Sequence, residues 1–182
     1  FDTTAHGLQT AFTMLSKHPD IQVKLREAIG DKDISSMSVK ELQAISYLKN
    51  FVQEVFRIKP IAPLQVPHKA RESVTIGGYN VPKNSIVYLM HQSECYNDTW
   101  DEPSKFNPSR WEKPQQTKIN PFGQGVRRCP GERIAITLLY KAIPSLVQQF
   151  NWTETDKPNS VELEFATIQK YKYEPLFHVN KL

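Results

Sequence analysis

Phe122-Gly123-Gln124-Gly125-Val126-Arg127-Arg128-Cys129-Pro130-Gly131 is the stretch that decides how this 182-residue chain is read. Six of its residues stand in the spacing F-G-x-G-x-R-x-C-x-G, which arises by chance with a probability on the order of 10⁻⁸ per position at ordinary residue usage. A thiolate that ligates a metal must be kept deprotonated and shielded, yet open on one side. Glycines at 123 and 125 allow a tight turn at positive φ and let backbone N–H groups approach the sulfur. Pro130 suits the first position of a helix, which would set Cys129 at a helix N-terminus, where the dipole favours an anion. Gly131 keeps the first helical turn clear of a flat group, and Arg127 offers a fixed cation to a carboxylate. The alternative is a buried free cysteine in a glycine-rich turn; the complete motif outweighs it.

With every fixed position present, the loop resembles the cysteine loop of the cytochromes P450. The resemblance implies that Cys129 is the axial ligand of the iron of haem b and that Phe122 packs over its sulfur. It also implies that Gly123, Gly125 and Gly131 shape the haem-facing loop, and that Arg127 binds a haem propionate. The implied fold is mainly α with small β-sheets, the C-terminal half of the cytochrome P450 fold. The family's complete domain is far longer than this chain, which opens without methionine on Phe1-Asp2-Thr3-Thr4. Residues 1–182 are therefore expected to be the C-terminal portion of one haem domain.

Composition narrows the function classes. No run of 18 apolar residues is present, so no transmembrane span is expected within these residues, and no secretory signal is visible. The resemblance implies placement in the endoplasmic-reticulum membrane where an N-terminal anchor precedes these residues, and in the cytoplasm otherwise. Two cysteines, Cys95 and Cys129, do not make a disulfide framework, so Cys95 is read as a structural thiol. The net charge of +4 does not point to nucleic acid, because the excess is local: from Arg110 to Lys141 seven basic residues face two acids, a net +5. That bias surrounds the cysteine loop and suits an acidic electron-donor protein docking near Arg128 and Lys118, with Lys141 as a further free cation. His6, His18, His91 and His178 share no metal-ligand spacing, so no zinc is expected.

Periodicity predicts a helix ending near residue 17 (Leu8, Ala11, Phe12, Leu15) and a second after His18-Pro19, stopped by Gly30. Ser38-Val-Lys-Glu41 is a capping box. Tyr47 to Ile58 is a helix ended by Pro60. Short β-branched runs, Val74–Ile76 and Ile86–Tyr88, predict a small sheet. Pro103, Pro108, Pro114 and Pro121 mark a long ordered coil, which is usually functional. Ile134 to Phe150 reads as a helix that Pro144 should kink or shorten to about three turns. The alternation of Val161, Leu163, Phe165 with Phe177 and Val179 suggests a terminal hairpin.

Glu54 and Arg57 share one face of the Tyr47–Ile58 helix and can pair. Alone, such a pair is a surface contact worth under about 1 kcal/mol. Here it lies within an apolar helix about seventy residues before the cysteine loop, where the family keeps such a pair. Phe106-Asn-Pro-Ser-Arg110-Trp111 resembles the family segment that adds a second arginine. Glu54, Arg57 and Arg110 are thus expected to form a buried structural triad. Asp2-Thr3 resembles the end of the family's acid–alcohol segment on the distal helix, which delivers the two protons that O–O cleavage consumes; the alternative is a plain helix N-cap. His68, with Arg71 as substitute, matches a position that hydrogen-bonds a propionate in many relatives.

The function implied is a haem-thiolate monooxygenase that inserts one atom of O2 into a small, lipophilic organic substrate, using electrons from a flavoprotein reductase or ferredoxin. Two other readings are a relative that uses peroxide or isomerises its substrate, and a haem-binding fragment without turnover. The intact Asp2-Thr3 pair speaks against the former.

Overall fold

The structure is a computed structural model that describes residues 2–113, 118–155, 163–165, 169–171 and 175–182. Four helices make the core: α1 (Asp2–Lys17), α2 (Pro19–Ile29), α4 (Ser46–Ile58) and α6 (Glu132–Gln149), with the short α3 (Val39–Gln43) packed on α4 and α6 and a second short helix, α5 (His91–Cys95), leading into the long coil. Their apolar stripes meet at Leu15, Leu25, Ile29, Leu48, Phe51, Ile143 and Val147, all fully buried. Truncating any of these leucines to alanine would cost about 2–5 kcal/mol, the lost transfer energy plus the cavity left behind.

The helix boundaries follow from local chemistry. Pro19 occupies the first turn of α2, where a missing N–H costs nothing, and Gly30 ends it at φ 59°. Ser38 and Glu41 form both halves of the predicted capping box at α3. Helix α4 stops where Pro60 forces Lys59 out of the helical region, to φ −141°, ψ 80°.

Three expectations are corrected. Pro144 does not shorten α6, which runs unbroken for 18 residues. Contacts beyond the proline carry it: Val147 is fully buried, and Arg26 donates from Nε to Val147 O (3.0 Å) and from Nη2 to Phe150 O (3.2 Å). Gln148 donates to the carbonyls of Gly30 and Lys32.

The small sheet is two separate antiparallel pairs. Strand β2 (Val74–Ile76) turns through Gly77-Gly78, at φ 56° and 85°, into β3 (Tyr79–Val81), while β4 (Ile86–Val87) pairs with β1 (His68–Lys69). The two glycines supply the left-handed turn that closes β2 on its immediate neighbour, so Ile86–Val87 finds an upstream partner instead.

The tail does not pair as expected either. Strand β8 (Phe177–Lys181) lies against β5 (Phe150–Glu154), whereas β6 (Leu163–Phe165) pairs with β7 (Gln169–Tyr171). Val161 and Pro114 lie outside the described residues. The β5–β8 pair is bound to the helices by Gln22, almost wholly buried, which accepts from Trp152 N (2.9 Å) and donates to Trp152 O (3.0 Å). Among the described residues no helix is long and apolar enough to cross a membrane.

Candidate functional site

Glu54 and Arg57 lie side by side on α4 with fully buried side chains. Arg57 donates Nε to Glu54 Oε2 and Nη2 to Oε1, both at 2.9 Å, the two-pronged fit of guanidinium to carboxylate. Its other N–H groups go to backbone carbonyls of Cys95 (2.9 Å), Pro103 (2.7 Å) and Lys105 (3.1 Å). Glu54 further accepts Arg110 Nε at 3.0 Å, Asn107 N at 2.9 Å and Trp111 Nε1 at 2.9 Å. Burying two charges costs several kcal/mol each unless every donor and acceptor is matched; here all five Arg57 N–H groups are used.

The three residues singled out in the sequence therefore meet, and they do more than pair. Arg110 donates to the carbonyls of Asp101 (2.6 Å), Glu102 (3.2 Å) and Lys105 (3.0 Å). Together the arginines gather the coil from Cys95 to Lys105 and the 3₁₀ turn Pro108–Glu112 onto α4. Trp100 roofs the cluster, 5.5 Å from the Arg57 guanidinium and 6.0 Å from that of Arg110. Asn107 and Trp111 escaped the sequence reading. The indole of Trp111, a donor without an acceptor role, was the available signal; the amide of Asn107 left none.

The cysteine loop runs between this buttress and α6. Cys129 donates its backbone N–H to Phe122 O at 2.9 Å, closing the loop on itself. Gly123 and Gly125 adopt φ 69° and 67°, a conformation that side-chain-bearing residues rarely take. The Phe122 ring meets Phe56 of α4 edge-on at 5.3 Å. Cys129 itself is exposed.

The expected helix start is corrected: α6 begins at Glu132 with Gly131 as N-cap, so Cys129 precedes the helix instead of standing on its first turn. The helix dipole it feels is weaker for that, since the effect fades beyond the first turn.

Around the sulfur the surface fits a flat, apolar group carrying carboxylates. Gly131, Ile134 and Leu138 fall on one stripe of α6, with Ile134 and Leu138 exposed, and Val126 in the loop is 98% exposed. A Cβ on Gly131 would stand 3.9 Å from Cys129 Sγ. Arg127 is exposed and makes no hydrogen bond or ion pair with a described residue. A soft sulfur donor, a bare apolar wall and a free guanidinium are the donor set that a thiolate-ligated haem with propionates requires.

His68 lies in β1, half-buried, and is not in contact with Arg127 among the described hydrogen bonds. Arg71 follows the strand, exposed. Asp2 and Thr3 occupy the first turn of α1, both exposed and without a described partner. Thr3 is one turn before Gly7 on the same face. A Cβ at Gly7 would meet Ile61 at 3.5 Å and Leu139 of α6 at 3.6 Å, so this face of α1 is turned toward α6.

The expected free cations are corrected. Arg128 is clamped to Glu132, Nη2 to Oε1 at 2.6 Å with a second bond from Nε, and that hydrogen bonding holds the Glu132 carboxyl below its ordinary range. Lys141 donates to the carbonyls of Ile34 (2.7 Å), Ser35 (3.0 Å) and Met37. Lys118 remains exposed and without a described partner. Cys95 is fully buried, and burial pushes its thiol up to about 12, which leaves it protonated and inert.

A sequence model of the cytochrome P450 family matches residues 1–177, and the chain belongs to that family. Its relatives include cytochrome P450 81D1 of Arabidopsis thaliana, 36% identical over 168 residues, covering 90% of this chain and 33% of the relative. Isoflavone 2'-hydroxylase of Glycyrrhiza echinata is 33% identical over 176 residues, covering 93% of this chain and 35% of the relative. Among solved structures, a zebra fish cytochrome P450 with progesterone superposes with a TM-score of 0.85 at 26% identity, over 100% of this chain and 42% of that one. The fold is thus the helix-rich P450 fold with small antiparallel sheets, and membership implies a haem cofactor. The chain spans about a third of the length of the curated relatives it matches.

Proposed function

We propose that the protein carrying this chain is a haem-thiolate monooxygenase, with haem b as cofactor and residues 1–182 as the C-terminal portion of its single haem domain. The observation that carries this reading is the cysteine loop: an exposed thiol, locked by its own backbone to Phe122, beside a bare apolar stripe and a guanidinium with no partner among the described residues. When bound, the haem supplies a redox metal at which O2 is split, one oxygen atom going to the substrate and the other to water with two electrons and two protons.

The chain's own residues account for the rest. Cys129 contributes the sulfur, and Phe122, braced by Phe56, shields it. Arg127 holds one propionate and His68, or Arg71, another. Thr3 holds a water by its hydroxyl, and Asp2 next to it links that water to solvent, so protons arrive in order at a face otherwise closed to bulk water. Thr3→Ala is expected to leave haem content unchanged while reducing equivalents drain to peroxide or water. The product formed per nicotinamide consumed would fall several-fold; an unaltered ratio removes Thr3 from the mechanism.

The substrate is a small lipophilic molecule, as progesterone and abiraterone are in the two solved relatives. The exposed Val66, Leu89 and Met90 around β1 and β4 are suited to line its site. The electron donor docks behind the cysteine loop, over a cleft of about 280 Å³ lined by Lys49, Phe56, Phe122, Arg128, Glu132 and Tyr140. With Arg128 neutralised by Glu132, Lys49 is the cation offered in the cleft, and Lys118 adjoins its lining residue Ile119 in sequence. Lys118→Glu is expected to slow reduction by an acidic donor and flatten its salt dependence, which screening over about 8–10 Å produces. Reduction indifferent to both charge and salt would end the docking assignment.

The function itself is tested by carbon monoxide added to the reduced, haem-loaded protein. A red-shifted Soret band, the signature of thiolate ligation, is expected. A band at the position of a neutral ligand overturns the reading.

A further inference from the structure

Gln65 lies between α4 and β1, and its backbone is already held: its N–H donates to Leu89 O at 3.0 Å, beside the bridge between Leu64 and Met90. Its side chain reaches 55 residues along the chain. Nε2 donates to the carbonyl of Asn120 at 3.1 Å, and the same carbonyl accepts Gly123 N–H at 3.0 Å. The other side-chain atom, Oε1, faces Gly123, where an added Cβ would stand 3.6 Å from it. Gln124 Nε2 meanwhile donates to Asn120 Oδ1, so the turn Asn120–Gln124 is cross-tied internally. Among the described residues, Gln65 supplies the one hydrogen bond that reaches this turn from another part of the fold.

We propose that Gln65 is a positioning residue for the cysteine loop, clamping the turn at the Asn120 carbonyl from the segment that leads into β1. The consequence for the sulfur is direct. Phe122 sits inside the clamped turn, and its carbonyl holds the N–H of Cys129. Packing of Phe122 on Phe56 anchors one side of the turn but, being non-directional, leaves it free to rotate about that contact; a donor fixed beside the Leu64–Met90 bridge removes that freedom. The segment so coupled also carries Val66 and His68, on the side proposed for substrate and propionate. Displacement on that side is thereby passed to the cysteine loop through the Gln65 amide. This inference rests on the reading of Cys129 as iron ligand.

The test uses the full-length, haem-loaded protein with Gln65→Leu, which keeps the side chain's length without its polar atoms, and Gln65→Glu, which keeps the shape but turns the donor into an acceptor. Gln65 is half-buried, so both are expected to fold and load haem. Amide exchange across residues 120–129 should quicken about five-fold, the effect of losing one hydrogen bond. The share of blue-shifted carbon monoxide band, which marks a protonated or displaced thiol, should rise by a similar factor. Wild-type exchange and spectra in both variants overturn the proposal. If Gln65→Leu fails to take up haem, Gln65→Lys returns a single donor to the Asn120 carbonyl: recovery of the band supports the clamp, and no recovery overturns it. A wild-type protein without a thiolate band would overturn the ligand assignment instead, while the exchange arm still judges Gln65.

Discussion

Arg57→Ala is expected to remove roughly 3–5 kcal/mol of stability, the cost of breaking one partner out of a buried ion pair. Domains of this kind hold about 5–15 kcal/mol in all, so the variant should accumulate poorly and lose haem. Two effects compete in setting the size. Arg110 stays within 3.0 Å of Glu54 and keeps part of the carboxylate's charge matched. Against that, the carbonyls of Cys95, Pro103 and Lys105 lose their Arg57 donor at once. Arg57→Lys is expected to recover only part of the loss, because an ammonium has three N–H groups where the guanidinium uses five. Denaturant unfolding of the haem-loaded protein measures both. A loss under about 1 kcal/mol for Arg57→Ala would mean that the pair behaves like an exposed one.

Cys129→Ser should abolish the red-shifted carbon monoxide band while leaving the fold intact. The side chain is exposed and the swap nearly isosteric, so no packing is lost. The loop's closure, from Cys129 N–H to Phe122 O, uses backbone that serine keeps. What changes is the donor: a hydroxyl ionises far above the range of a thiol and is a harder ligand. Cys95 cannot replace it, being buried and held protonated. A variant with the same band as the native protein would sink the ligand assignment, and circular dichroism shows separately whether it folded.

How much of this was legible beforehand depended on the range of the interaction. The cysteine loop, the Ser38–Glu41 capping box and the Gly30 stop each follow from residue types a few positions apart, and they can be read directly. Glu54 and Arg57 were readable for the same reason, one helical turn being a local distance. Strand pairing was not: Ile86–Val87 and Phe177–Lys181 have the composition of strands, but composition does not name a partner. Pro144 does not end α6, because a helix-breaking preference of about 3 kcal/mol is a local term that the packing of Ile143 and Val147 outweighs.

Charge shows the same division more sharply. The positive excess from Arg110 to Lys141 is a matter of residue identity, whereas which of those cations are free is set by their partners in the fold. Arg128 is spent on Glu132 and Lys141 on the carbonyls of the 34–37 loop, acceptors that every residue carries and no sequence pattern marks. The sequence by itself determined the family, the thiolate motif and the paired residues of the buttress, because each is a matter of side-chain identity at short spacing. Only the tertiary structure decided what those residues hold: three distant carbonyls on Arg57, an indole and an amide on Glu54, and Gln65 on the loop that presents Cys129. Backbone groups are the same at every position, so where they meet a side chain is set by the fold alone.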